Sequence, residues 1–123
     1  MAKEIMRELG NRSREFYEFV MPAIDMFEDG NDLIVNIDLP GFAKSDINLR
    51  IVENILSINA SREPEENHGT VYYKHRPTRL NKKVALPITI NDEDDKVIGT
   101  AKYIDGVVTL RIPIPKSSNI PIT

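Results

Sequence analysis

The sequence predicts an all-β fold with two antiparallel sheets packed face to face, and three observations predict it. Apolar and polar residues alternate with a period of two in several short stretches between residues 32 and 114. Tight-turn signals separate these stretches, at Pro40-Gly41, Glu53-Asn54 and Asp105-Gly106. No stretch after Pro22 carries the apolar spacing of a long internal helix, and short strands joined by tight turns suit a sandwich. At 123 residues the chain suits one domain, large enough to bury a core without covalent staples.

Residues 1–21, MAKEIMRELGNRSREFYEFVM, read as helical. Ile5 and Leu9 stand four apart, and Phe16, Phe19 and Val20 recur at helical spacing. Gly10-Asn11 breaks the stretch, and Pro22 disfavours helix at Met21. Two readings stay open: a helix docked on its own domain, or an amphipathic arm offering Phe and adaptable Met side chains to other proteins.

After Pro22 the period changes. DLIVNIDLP puts Leu33, Val35, Ile37 and Leu39 on one face, and Pro40-Gly41 ends the strand. INLRIV alternates Ile47, Leu49 and Ile51 with Asn48 and Arg50. Glu53-Asn54 then turns into ILSINAS, where Leu56, Ile58 and Ala60 are expected inside. RLNKKVALP continues with Leu80, Lys82, Val84 and Leu86, and Pro87 closes that strand or leaves it on an edge. TAKYIDGVVTLRIPI reads as a second hairpin about Asp105-Gly106, with Val108, Leu110 and Ile112 facing one way. The connection between Arg62 and Arg79 is long for a compact domain. Val71, Tyr72 and Tyr73 can form a strand within it, and a neighbouring chain could supply its partner.

Composition excludes several functions. With no cysteine, disulfides, thiolate catalysis and cysteine-based zinc sites are ruled out, which fits a reducing cytoplasm. A net charge of −3 with both signs interspersed leaves no basic field for nucleic acid, and Trp is absent. No apolar run approaches the ~20 residues of a membrane span, and residues 1–21 lack the pattern of a secretory signal. The two histidines, His68 and His75, both fall in the long connection, too few for a metal site. Asn91-Asp92-Glu93-Asp94-Asp95 lacks the spacing of a calcium loop. No Gly-rich phosphate loop and no nucleophile–base pair can be argued from spacing, so neither a cofactor nor catalysis is expected.

The motifs, in their order and spacing, resemble the small heat shock proteins built on the α-crystallin domain. Pro22-Ala23-Ile24-Asp25-Met26-Phe27-Glu28 is similar to that domain's opening, and Asp38-Leu39-Pro40-Gly41-Phe42-Ala43-Lys44-Ser45-Asp46-Ile47 to its early signature. Val84-Ala85-Leu86-Pro87, Ala101-Lys102-Tyr103-Ile104-Asp105-Gly106-Val107-Val108 and the terminal Ile120-Pro121-Ile122 follow in the family's order. Two positions depart from the pattern. Lys82 stands where the family usually carries Arg, which puts a bidentate ion pair at the dimer interface in doubt. Asp105 replaces the usual Asn, and either suits the turn.

The resemblance implies an immunoglobulin-like sandwich at 23–114, a helical or partly disordered arm at 1–22 and an extension at 115–123. It implies a holding chaperone that consumes no ATP, binds unfolding client proteins and assembles from dimers into a large homo-oligomer. The dimer would form by strand swapping through Val71, Tyr72, Tyr73, Lys74 and His75. Ile120, Pro121 and Ile122 would insert between two edge strands of another subunit, about 46–52 and 98–104, lined by Ile47, Leu49, Ile51, Ile98, Thr100 and Ala101. The arm residues Ile5, Leu9, Phe16, Tyr17, Phe19 and Val20 would meet clients. Extended chain from Ile114 to Ile120 reaches at most roughly 20 Å, so the accepting groove must lie that close, on this subunit or a neighbour. The competing expectation is a monomeric or dimeric sandwich module similar to co-chaperone domains, which has no need of the tail motif.

Overall fold

The computed structural model describes residues 12, 14–15, 21–90, 99–115 and 122. Seven strands follow in chain order: β1 (Ile24–Asp29), β2 (Asp32–Asp38), β3 (Ile47–Val52), β4 (Ile55–Ser61), β5 (Arg79–Ala85), β6 (Thr100–Ile104) and β7 (Val107–Pro113). They form a four-stranded sheet in the order β1-β2-β7-β6 and a three-stranded sheet in the order β3-β4-β5. Every pairing is antiparallel.

The alternation explains the layers. Leu33, Val35 and Ile37 of β2 stand opposite Ile112, Leu110 and Val108 of β7, and all six are buried. Leu56, Ile58 and Ala60 of β4 answer them from the other sheet, with Leu80 of β5. Burying one such aliphatic side chain stabilises by about 1.5–3 kcal/mol, so these central strands hold the sandwich. Two-residue turns join the hairpins. Asp105 and Gly106 have φ of 52° and 78°, the left-handed pair that matches the twist of a hairpin.

Three expectations need comment. The segment 24–29 is a strand that alternation alone did not reveal. Only Ile24 and Met26 are partly buried against the core, while Asp25, Phe27, Glu28 and Asp29 are exposed, so its pattern is that of an acidic edge. Residues 71–75 form no strand within the single chain. Of the arm, Arg12, Arg14 and Glu15 are helical, while Ile5, Leu9, Phe16, Tyr17, Phe19 and Val20 lie outside the described residues.

Candidate functional site: the open edge between β3 and β6

Four strands end the two sheets, and their inward faces differ in chemistry. On β5 the inward residue opposite Ile58 is Lys82, half-buried, and on β1 the inward residue opposite Leu33 is the exposed Glu28. Neither of these two edges therefore offers a continuous apolar inward face. On β3 the inward residues are Ile47, Leu49 and Ile51, opposite Ala60, Ile58 and Leu56. All three are only half-buried although they pack on the core. On β6 the inward residues are Ala101 and Tyr103, opposite Leu110 and Val108. The β3/β6 side is therefore apolar on its inward face, and among the described residues no strand pairs with either outer edge.

The connection from β2 to β3 ties these two strands together. Leaving β2, Leu39 donates its N–H to the Gly106 carbonyl at 2.7 Å. The Tyr103 hydroxyl lies 2.6 Å from the Leu39 carbonyl and 2.8 Å from that of Phe42, and can donate to either. The chain then passes through one 3-10 turn, Lys44–Asp46, into β3. Tyr103 thus fixes β6 against the segment that aims β3. Changing Tyr103 to Phe leaves these partly buried carbonyls without that donor and is expected to cost about 1–2 kcal/mol. Thermal unfolding at matched protein concentration reads this; an unchanged midpoint would mean that water replaces the hydroxyl at no cost.

The expected lining residues divide. Ile47, Leu49, Ile51 and Ala101 share the inward faces of the two edges. Thr100 does not: its register partner is Arg111, so its side chain stands on the outer face, because neighbouring residues in a strand point to opposite sides. Ile98 lies outside the described residues, as do Ile120 and Pro121. Ile122 is 97% exposed in the isolated chain. Tyr103 was not anticipated as a site residue. Its partners lie more than sixty positions away, and no local pattern announces them.

The long connection forms a second candidate surface. Its neck is closed by the Arg62 N–H to the Thr78 carbonyl at 2.9 Å and by Arg62 Nε to the Pro77 carbonyl at 2.8 Å. Beyond the neck, Lys74 Nζ donates to the Glu65 carbonyl at 3.2 Å, and Arg76 lies 3.8 Å from the Glu65 carboxylate. Tyr73 meets His75 edge to face, with ring centres 5.4 Å apart. Val71, Tyr72 and Tyr73 remain exposed, at 47%, 64% and 75%. The cations Lys74, Arg76 and Arg79 follow this apolar stretch, whereas edge strand β1 carries Asp25, Glu28 and Asp29.

Comparisons with known proteins agree with this architecture. Residues 25–123 match the model of the Hsp20/alpha crystallin family. The fold is similar to that of a mutant of hsp14.1 from Sulfolobus solfatataricus P2, with 44% identity, a TM-score of 0.77, and coverage of 99% of this chain and 97% of that one. It is also similar to a small heat-shock protein from Xylella fastidiosa described as having a distinct high order structure, with 27% identity, a TM-score of 0.64, and coverage of 84% and 94%. The 18 kDa heat shock protein of Streptomyces albus G is 33% identical over 94 residues, which are 74% of this chain and 63% of that protein. The chain spans between 60% and 72% of the length of the curated relatives it matches. No helix among the described residues is long and apolar enough to cross a membrane. The names of these relatives support a chaperone role in the stress response. On its sequence match, its two-sheet sandwich and its order of motifs, the chain belongs to the Hsp20/alpha crystallin family of small heat shock proteins.

Proposed function

We propose that the chain is an ATP-independent holding chaperone, assembled from dimers into a large homo-oligomer in the cytoplasm. The observation that carries this reading is the apolar opening between β3 and β6, where Ile47, Leu49 and Ile51 are half-buried and neither edge has a strand beside it. Ile120 and Ile122, held about Pro121 by its fixed φ, are the occupant in the resting assembly. They come from another subunit, so each contact is weak singly and firm only when repeated.

The dimer forms when Val71, Tyr72, Tyr73, Lys74 and His75 add as a strand to a neighbour. The acceptor is β1 of the partner, an edge whose acidic residues suit the cations at 74–79. Heat loosens the tail contacts, exposing the opening and the arm residues Ile5, Leu9, Phe16, Tyr17, Phe19 and Val20. Apolar segments of unfolding clients bind there and are kept from one another. The domain boundaries follow this division of labour: arm 1–22, sandwich 23–114, tail extension 115–123.

Heat-induced aggregation of a model client, followed by light scattering without ATP, tests the reading. Turbidity is expected to be largely suppressed at one chain per client. Aggregation that proceeds unchanged at that ratio removes the holdase assignment.

A further inference from the structure

The β2–β3 connection touches both candidate surfaces between Leu39 and Phe42. On the side of the opening, the Tyr103 hydroxyl of β6 lies 2.8 Å from the Phe42 carbonyl. On the side of the long connection, the Arg62 guanidinium stands 5.9 Å from the centre of the Phe42 ring, within reach of a cation–π contact. Arg76 lies against the same turn. Its Nη2 is 3.3 Å from the position that a Cβ on Gly41 would take. Phe42 is itself buried in the core, so the turn is gripped at its glycine, its ring and its carbonyl. From there one 3-10 turn leads to Ile47, the first inward residue of β3.

The proposed strand exchange treats the two cations differently. Arg62 follows β4 directly and bonds to the Pro77 and Thr78 carbonyls of the neck, so it stays in place. Arg76 directly follows the exchanging segment 71–75. Its contact with the Glu65 carboxylate, at 3.8 Å, is exposed and holds it only weakly. When the segment leaves for a neighbour, Arg76 is drawn off Gly41 with it. The turn then keeps Arg62 and Tyr103 but loses its third support.

We propose that the Gly41-Phe42 turn couples the long connection to the β3/β6 opening, with Arg76 as the positioning residue. While Arg76 rests on Gly41, the lead into β3 is braced and the edge holds its position. Once Arg76 leaves, β3 yields to an entering pair of isoleucines, so a chain with its segment exchanged takes a tail more tightly. Linkage makes the effect reciprocal: a seated tail favours the exchanged segment by the same factor. The long connection is the two-state element, and both sites bias it. This inference rests on the strand exchange and the tail contact proposed above, and adds that each strengthens the other.

The test starts from the full chain carrying Tyr72→Pro, Ile120→Ser and Ile122→Ser. The proline removes an N–H needed for strand addition and keeps the segment at home, and the serines silence the chain's own tail. Adding Arg76→Gln takes away the brace without any exchange. Hydrogen exchange of residues 43–51, followed by mass spectrometry, is expected to become about fivefold faster, with β2 and β7 unchanged. A peptide of residues 114–123 is expected to bind about fivefold more tightly. Adding Lys74→Gln instead loses a bond to the Glu65 carbonyl but leaves Arg76 on the turn, and is expected to change neither. The coupling is overturned if Arg76→Gln leaves the exchange of 43–51 unchanged, or if Lys74→Gln speeds it as much. A peptide that binds equally with and without Arg76→Gln also overturns it, while the tail reading stands. A peptide that binds neither chain sinks the tail reading; faster exchange of 43–51 in Arg76→Gln alone then still supports the coupling of connection and opening.

Discussion

With Ile120 and Ile122 both changed to serine, the native mass is expected to fall from that of a large assembly to roughly that of a dimer. Each isoleucine gains about 1.5–3 kcal/mol when its side chain leaves water, and serine forfeits nearly all of that. Two side chains therefore account for several kcal/mol per tail, less the entropy of ordering the extension. Even after that subtraction, a single tail contact weakens on the order of a hundredfold, and a shell depends on many such contacts at once. The sandwich should keep its stability, because in the proposed assembly both residues sit on another subunit, and Ile122 is exposed in the isolated chain. Size-exclusion chromatography with light scattering at micromolar protein gives the mass directly. A variant that elutes with the parent's mass would show that the β3/β6 opening is closed by something other than these residues.

Gly99→Ala is expected to have the largest effect on the fold. A Cβ at Gly99 would lie 2.3 Å from the carbonyl oxygen of Arg111, 3.2 Å from its carbon and 3.3 Å from Cα of Ile112. All three are backbone atoms of β7, so no side chain can swing aside. The strand must shift instead, breaking the β6–β7 ladder at its start and moving the β6 side of the β3/β6 edge. About 3 kcal/mol or more of destabilisation follows, at the upper end of what an added methylene costs in a packed interior. Gly30→Ala is the matched control: its φ of 62° strains a side chain, but nothing lies within 4 Å, so about 1–2 kcal/mol is the expected cost. Denaturant unfolding of the two variants should rank them clearly. Equal losses would mean that the crowding at Gly99 relaxes without disturbing β6.

Much of this was legible in the sequence, for identifiable reasons. Alternation exposes a strand when one face is buried and the other wet, as in β2, β4 and β7, and those core residues are where the pattern predicts. It fails for β1, whose inward positions run Ile24, Met26 and then Glu28, too short an apolar series to register. Sheet order is equally hidden: β2 pairs with β7 across most of the chain, and no local signal selects that partner. At the site, Ile47, Leu49 and Ile51 follow from the same period of two. Thr100 and Ala101, both implied as lining by the resemblance, are neighbours in β6 and so face opposite sides of the sheet. The bonds of Tyr103 to Leu39 and Phe42 appear only once the fold brings these distant segments together.

The closed neck of the long connection has a kinetic consequence. Arg62 bonds to Thr78 and Pro77 immediately beyond the last pair of the β4–β5 ladder, Ser61 and Arg79. In the proposed strand exchange, the segment past that clamp can move while the β4–β5 ladder stays paired. Trading partners between copies then resembles swinging a hinged arm rather than unravelling a domain. The proposed exchange would have to break local contacts such as those of Lys74 and Arg76 with Glu65, and none of these belongs to the core.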